Sequence, residues 1–140
     1  MNTEFMHEIN WLAVFAGSLV YFFLGAIWYS KLLFASKWIA YTKIDMNDPN
    51  AKKGVAGIMF ASYIQMFLTA AGLSVLRYKL DTAGWMSGLK VGAFTGICFG
   101  AASITISYLY EKRPAGLYAI NNGYTVLGNI AAALIIFCWT

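Results

Sequence analysis

Charge is what this 140-residue chain has least of: 10 Lys and Arg with 6 Asp and Glu make 11% of it, against 60% apolar. A soluble globular domain carries ~25% charged and ~45–50% apolar residues, so the composition excludes an ordinary soluble domain. Two cysteines, with no CxxC, exclude a disulfide-built scaffold and a quinone-linked thiol oxidoreductase. Cys98 lies mid-way along one apolar run and Cys138 near the end of another, depths too different for a bridge. Histidine occurs once, at His7, and with Glu4 and Glu8 beside it the spacing is no metal-ligand set. No serine has a second histidine to activate it, and no Gly-rich phosphate loop is present, so no metal and no cofactor is expected. No apolar run holds an acid near its middle, which argues against a proton-coupled exporter of the small multidrug resistance kind. Proline is equally scarce, and both copies, Pro49 and Pro114, fall between the runs.

What is present is apolar length. Ile9–Ser30, Gly54–Leu76, Val91–Tyr110 and Pro114–Thr140 are free of charge, and Thr82–Leu89 extends the third run with only Lys90 interrupting. A bilayer asks for ~20 such residues. The expected fold is all-α: a four-helix transmembrane bundle in one integral membrane domain, residues 1–140, with spans at about 9–30, 54–76, 86–110 and 115–139. Met1–Asn10 has no basic region and no cleavage site follows, so the first span is expected to stay. Trp11 and Trp28 bracket it, ~26 Å apart on a helix, close to the hydrocarbon thickness. Trp85 opens span three and Tyr108 and Tyr110 close it; Tyr118 and Trp139 bracket span four.

Lys and Arg placement sets the expected orientation. Loops one and three hold Lys31, Lys37, Lys43, Lys52, Lys53, Lys112 and Arg113, whereas the second loop holds Arg77, Lys79 and, at its edge, Lys90. Loops one and three are thus expected in the cytoplasm and both termini outside, in a bacterial inner (cytoplasmic) membrane. The net charge of +4 then faces anionic lipid and calls for no nucleic acid. Lys90 is expected to snorkel to the interface. In loop one, Phe34, Trp38 and Tyr41 share a helical face among lysines, the pattern of a short interfacial helix after the first span. Asp48-Pro49 reads as an N-cap and first-turn proline launching span two, Asp81 or Thr82 as a cap for span three, and Pro114 as the break before span four.

Gly84, Gly88, Gly92, Gly96 and Gly100 recur every four residues, a helix-packing face that lets another backbone come close. Its partner is open between a helix of the same protomer and one of a second copy, and a homo-oligomer is the expectation. Gln65, Asn122 and Asn129 put amides inside spans, where an unpartnered amide is costly. They satisfy one another between helices or line a polar path. Trp28, Tyr29, Asn121, Asn122 and Tyr124 share one depth and are expected to line a polar pocket.

Asn10-Trp11-Leu12-Ala13-Val14, Gly25-Ala26-Ile27-Trp28-Tyr29-Ser30 with Leu32-Leu33-Phe34 and Trp38, and Ile120-Asn121-Asn122-Gly123-Tyr124 together resemble the family called domain of unknown function 1761. The resemblance covers most of the chain and implies a small four-span membrane protein; it implies no activity and no catalytic residue. Lys31 stands where that pattern has proline. The function expected is a non-enzymatic, homo-oligomeric membrane protein that binds or passes a small solute or lipid through amide and hydroxyl side chains. A structural, partner-binding membrane protein and a small enzyme acting on a hydrophobic substrate are the alternatives.

Overall fold

A computed structural model describes residues 3–139. Met1 and Asn2, which belong to the leader-free N-terminus expected above, and Thr140, the end of the fourth apolar run, lie outside the described residues. The described chain is all helical: α1 Phe5–Glu8, α2 Trp11–Trp28, α3 Ala35–Thr42, α4 Val55–Leu80, α5 Trp85–Thr95, a π-helical turn Gly96–Ala101, α6 Ala102–Glu111 and α7 Ala115–Cys138. The π turn continues α5 into α6, so the third span runs from Trp85 to Glu111. Four helices are long and apolar enough to cross a membrane: α2, α4, the third span and α7.

The hub is α7. Of its most apolar stretch 44% is buried within the protein, against 17% for α4 and for the third span, so those two spans turn most of their surface outward. On α2, Ala13, Val14, Gly17, Ser18 and Tyr21 form one stripe of helical period buried against α7 and α4, the Ser18 hydroxyl pairing with that of Tyr63 at 2.8 Å. The fit is close because of glycine. The Tyr21 ring lies over Gly128 of α7, and Gly17 lies against Ala132 and Ile136. The third span packs on a different flank of α7, along Val126, Asn129, Ile130 and Ala133, while α4 packs on α2 and α7. α4 and the third span make no packed interface with each other.

The connections follow local chemistry. Asn10 caps α2, its side-chain oxygen accepting from the Ala13 N–H at 3.1 Å. The break after α2 forms without proline: the Ser30 hydroxyl donates to the Ile27 carbonyl at 2.6 Å, and the Phe34 N–H reaches back to Trp28. α3 is the short helix expected in loop one, ended by Lys43 in the left-handed region at φ 58°. Pro114 starts α7, as its fixed φ favours.

Two expected caps are replaced. Asp48-Pro49 does not launch span two. The Asp48 carboxylate accepts from the Asn50 N–H at 2.9 Å in a local turn, turns continue, and α4 begins only after Gly54 at φ +75°. Asp81 and Thr82 do not cap span three. Asp81 ends α4 in the left-handed region, and the Thr82 hydroxyl pairs with Ser87 at 2.6 Å. α5 follows Gly84, whose φ of +96° disfavours any side chain and whose N–H donates to the Phe137 carbonyl at 2.9 Å.

The glycine face packs inside the protomer. A Cβ on Gly92 would sit 2.7 Å from the Ile130 Cα; one on Gly96, 2.9 Å from the Val126 Cα; one on Gly88, 3.0 Å from the Ala133 carbonyl. Gly100 meets the Thr125 methyl, and only Gly84, outside the helix, has open space. A strict four-residue repeat drifts ~40° per step round an α-helix. A π turn holds more residues, so four residues fall short of a full turn there instead of exceeding it. The π turn between Gly96 and Gly100 thereby returns Gly100 to the seam that Gly88, Gly92 and Gly96 were leaving.

Candidate functional site

Because α4 and the third span stand apart, a groove opens between them, floored by α7 with help from α2. Its larger chamber, about 1070 Å³, lies at the end of the bundle that carries loops one and three. Ile39, Val55, Ile58, Met59 and Ile104 make it mainly apolar, and Lys31 is its one charged lining residue. The second chamber, about 770 Å³, lies mid-span, among Tyr21, Gln65, Thr69, Thr95, Ser103 and Asn129. Thr125 of α7 lines both, so the chambers adjoin.

The α4 wall is one helical stripe: Val55, Ile58, Met59 and Ser62 in the first chamber, then Gln65, Thr69, Gly72, Leu73 and Leu76 in the second. From Val55 to Leu76 the rise is ~32 Å, the full thickness of a hydrocarbon core. The opposite wall alternates polar and apolar residues, from Thr95 and Phe99 through Ser103 and Ile104 to Tyr108.

A hydrogen-bonded chain closes the head of the larger chamber. The Tyr29 hydroxyl donates to the Asn121 amide oxygen at 2.5 Å, and the Asn121 amide nitrogen donates to the Tyr108 hydroxyl at 2.5 Å. Tyr29 also meets Tyr124 edge-to-face at 5.4 Å, and Tyr124 meets Tyr21 likewise at 5.2 Å. The Tyr124 hydroxyl donates to the Tyr21 carbonyl at 2.9 Å. These rings link the end of α2 to α7 and hold the chamber's inner wall in one arrangement.

Of the residues singled out from the sequence, Tyr29, Asn121 and Tyr124 line the larger chamber, and Gln65 and Asn129 the mid-span one. Trp28 and Asn122 line neither. The Trp28 indole N–H donates to the Ile120 carbonyl at 2.9 Å, with its ring against Phe34 and Gly123. Asn122 turns toward the third span and donates to the Thr105 hydroxyl at 2.8 Å; its amide oxygen is buried without a partner. Asn129 bonds within its helix to the Thr125 carbonyl at 2.8 Å and accepts from Thr95 at 3.2 Å. Lys90 is exposed and lines neither chamber. Cys98 and Cys138 are free and exposed. Sequence reasoning missed Thr125 as the junction, Tyr108 as the end of the relay, and the α4 stripe. The stripe had a signal, since Ser62, Gln65 and Thr69 fall on one helical face.

Among the described residues no three His, Cys, Asp or Glu side chains come together. The groove offers hydroxyls, amides, apolar surface and the Lys31 ammonium. No curated protein and no solved structure matches the chain. A family model described as a protein of unknown function, DUF1761, matches residues 12–137, nearly the whole described chain and all four spans. The chain belongs to the DUF1761 family.

Proposed function

We propose that this membrane protein binds a polar-headed lipid or similar amphiphile in the groove between α4 and the third span. The observation that carries the reading is the pair of adjoining chambers, one mainly apolar and one rich in amides and hydroxyls, in the groove that α4 and the third span leave between them. A water-soluble solute would waste the apolar chamber, and a pure hydrocarbon would leave the Gln65 amide unmatched. A lipid suits both, its chains along Ile58, Met59 and Ile104 at the open side of the groove and its polar part among Tyr29, Asn121 and Tyr108 of one chamber and Gln65 of the other.

Native mass spectrometry from lipid nanodiscs tests this. The wild type is expected to leave the nanodisc with a stoichiometric lipid. Met59→Trp together with Ile104→Trp, which fills the larger chamber, is expected to lower lipid occupancy about tenfold, a loss of ~1.4 kcal/mol of binding. Equal retention by wild type and variant would remove the groove as the site.

The same spectrum reads oligomeric state. The glycine face is taken by α7 of its own protomer, so assembly into a homo-oligomer falls to other surfaces, such as the outer face of α4 with its exposed Phe60, Ile64 and Leu68. The orientation proposed for the bundle puts loops one and three in the cytoplasm, with both termini outside an inner membrane. In intact cells, Lys52→Cys should resist a membrane-impermeant maleimide and react after permeabilisation. Labelling before permeabilisation would invert the topology.

A further inference from the structure

Three polar side chains inside the groove have no hydrogen-bond partner among the described residues. They are Ser62 and Gln65 on α4 and Ser103 on the third span. Ser62 lines the larger chamber, and Gln65 and Ser103 line the mid-span one, on the two walls of the groove. An amide or hydroxyl left unmatched in hydrocarbon is unfavourable, and nothing in a lipid tail can satisfy it. A polar group moving along the groove would.

We infer that the groove conducts lipid headgroups from one leaflet to the other, an energy-independent lipid scrambling, while the acyl chains stay in the bilayer beside it. The inference rests on the reading of the groove as a lipid site and extends it from binding to passage. Three features support passage. The α4 wall spans the whole hydrocarbon thickness, so the path need not end mid-membrane. α4 and the third span make no packed interface along it, which leaves the groove open on one side, so the tails need not enter the protein. Its middle carries hydroxyls and amides with no fixed charge, enough to replace headgroup hydration and too weak to trap it.

The one charged residue that lines the groove is Lys31, in the chamber beside loop one. Its ammonium receives a headgroup phosphate at that end.

The test uses the full chain in phosphatidylcholine vesicles containing a trace of NBD-labelled phosphatidylcholine, with dithionite added outside. Protein-free vesicles lose only the outer-leaflet signal. Wild-type vesicles are expected to lose the inner-leaflet signal as well, in a second phase. Ser62→Trp and Ser103→Trp, each blocking the gap without removing a hydrogen bond made within the protein, are expected to slow that phase about tenfold. Phe60→Trp, on the outward face of the same helix, is expected to leave it unchanged. Wild type no faster than protein-free vesicles, with a lipid still retained in the mass spectrum, would overturn passage and leave binding standing. Loss of both would overturn both. Blocking variants as fast as wild type would move the route out of the groove. Quenching of an entrapped soluble fluorophore at the rate of the second phase would make the path a leak to dithionite and overturn lipid passage.

Discussion

Gly92→Leu is expected to destabilise the bundle by ~3 kcal/mol, the upper end of what overpacking a closed site costs. At Gly92 the first added carbon already falls 2.7 Å from the Ile130 Cα and 2.9 Å from the Asn129 carbonyl oxygen. Both are backbone atoms of α7, the helix on which the other spans are packed, so they cannot swing aside as a side-chain end would. The remaining relief is for the third span to move off α7 as a body. That movement would part Thr95 from Asn129, bonded at 3.2 Å, and widen the groove that the span borders. Gly57→Leu on α4 is the matched control. It adds the same side chain to a helical glycine with nothing within 4 Å, and is expected to be neutral or stabilising by up to ~0.8 kcal/mol. Equilibrium unfolding of the reconstituted protein by steric trapping reads both. Equal stability of the two variants would show that the glycine seam is not the contact holding the third span.

The contrast between these glycines marks what was legible in the sequence. Uncharged length alone located the four spans, because a bilayer demands it of any chain that crosses. The observed helices differ from the expected bounds by only a few residues at most ends. Close packing of span three was also legible, since glycines every four residues have little other use in a membrane helix. Its partner was not, because the complementary surface of Asn129, Ile130 and Ala133 is an ordinary mixed stretch of α7 that no local pattern marks. Asp48-Pro49 misled for a different reason. The pair satisfies a local rule for starting a helix, yet the Asp48 carboxylate serves a turn to Asn50, and Gly54 supplies the conformation that opens α4. The groove was the least legible feature. It exists because two spans fail to meet, and a missing contact leaves its trace only in the relation of α4 to a helix some 30 residues further on. Tyr29, Asn121 and Tyr124 were grouped with Trp28 and Asn122 by shared depth, which fixes height in the bundle but says nothing of azimuth. That is why Trp28 and Asn122, at the same height, point elsewhere.

Azimuth at that height is set by one tight contact, and the contact yields a second large effect. A Cβ on Gly25 of α2 would lie 2.5 Å from the Tyr124 hydroxyl oxygen and 2.9 Å from its ring Cζ. Gly25→Ala is expected to cost ~2 kcal/mol, because the Tyr124 ring is held between Tyr21 and Tyr29 and cannot turn away freely. Tyr124→Phe removes the hydroxyl and its 2.9 Å bond to the Tyr21 carbonyl, at an expected ~1 kcal/mol. The two changes should not add. Without the hydroxyl the nearest clash at Gly25 retreats to the ring carbon, so the double variant is expected to lose less than the two single variants together, by ~1 kcal/mol of coupling. The displaced ring would carry Tyr29 with it and loosen the Tyr29–Asn121–Tyr108 relay, so lipid occupancy in the native mass spectrum should fall in Gly25→Ala and partly return in the double variant. Strict additivity of the unfolding free energies would mean that α2 and α7 yield freely at this point, and that the chamber wall is positioned by something other than the stacked tyrosines.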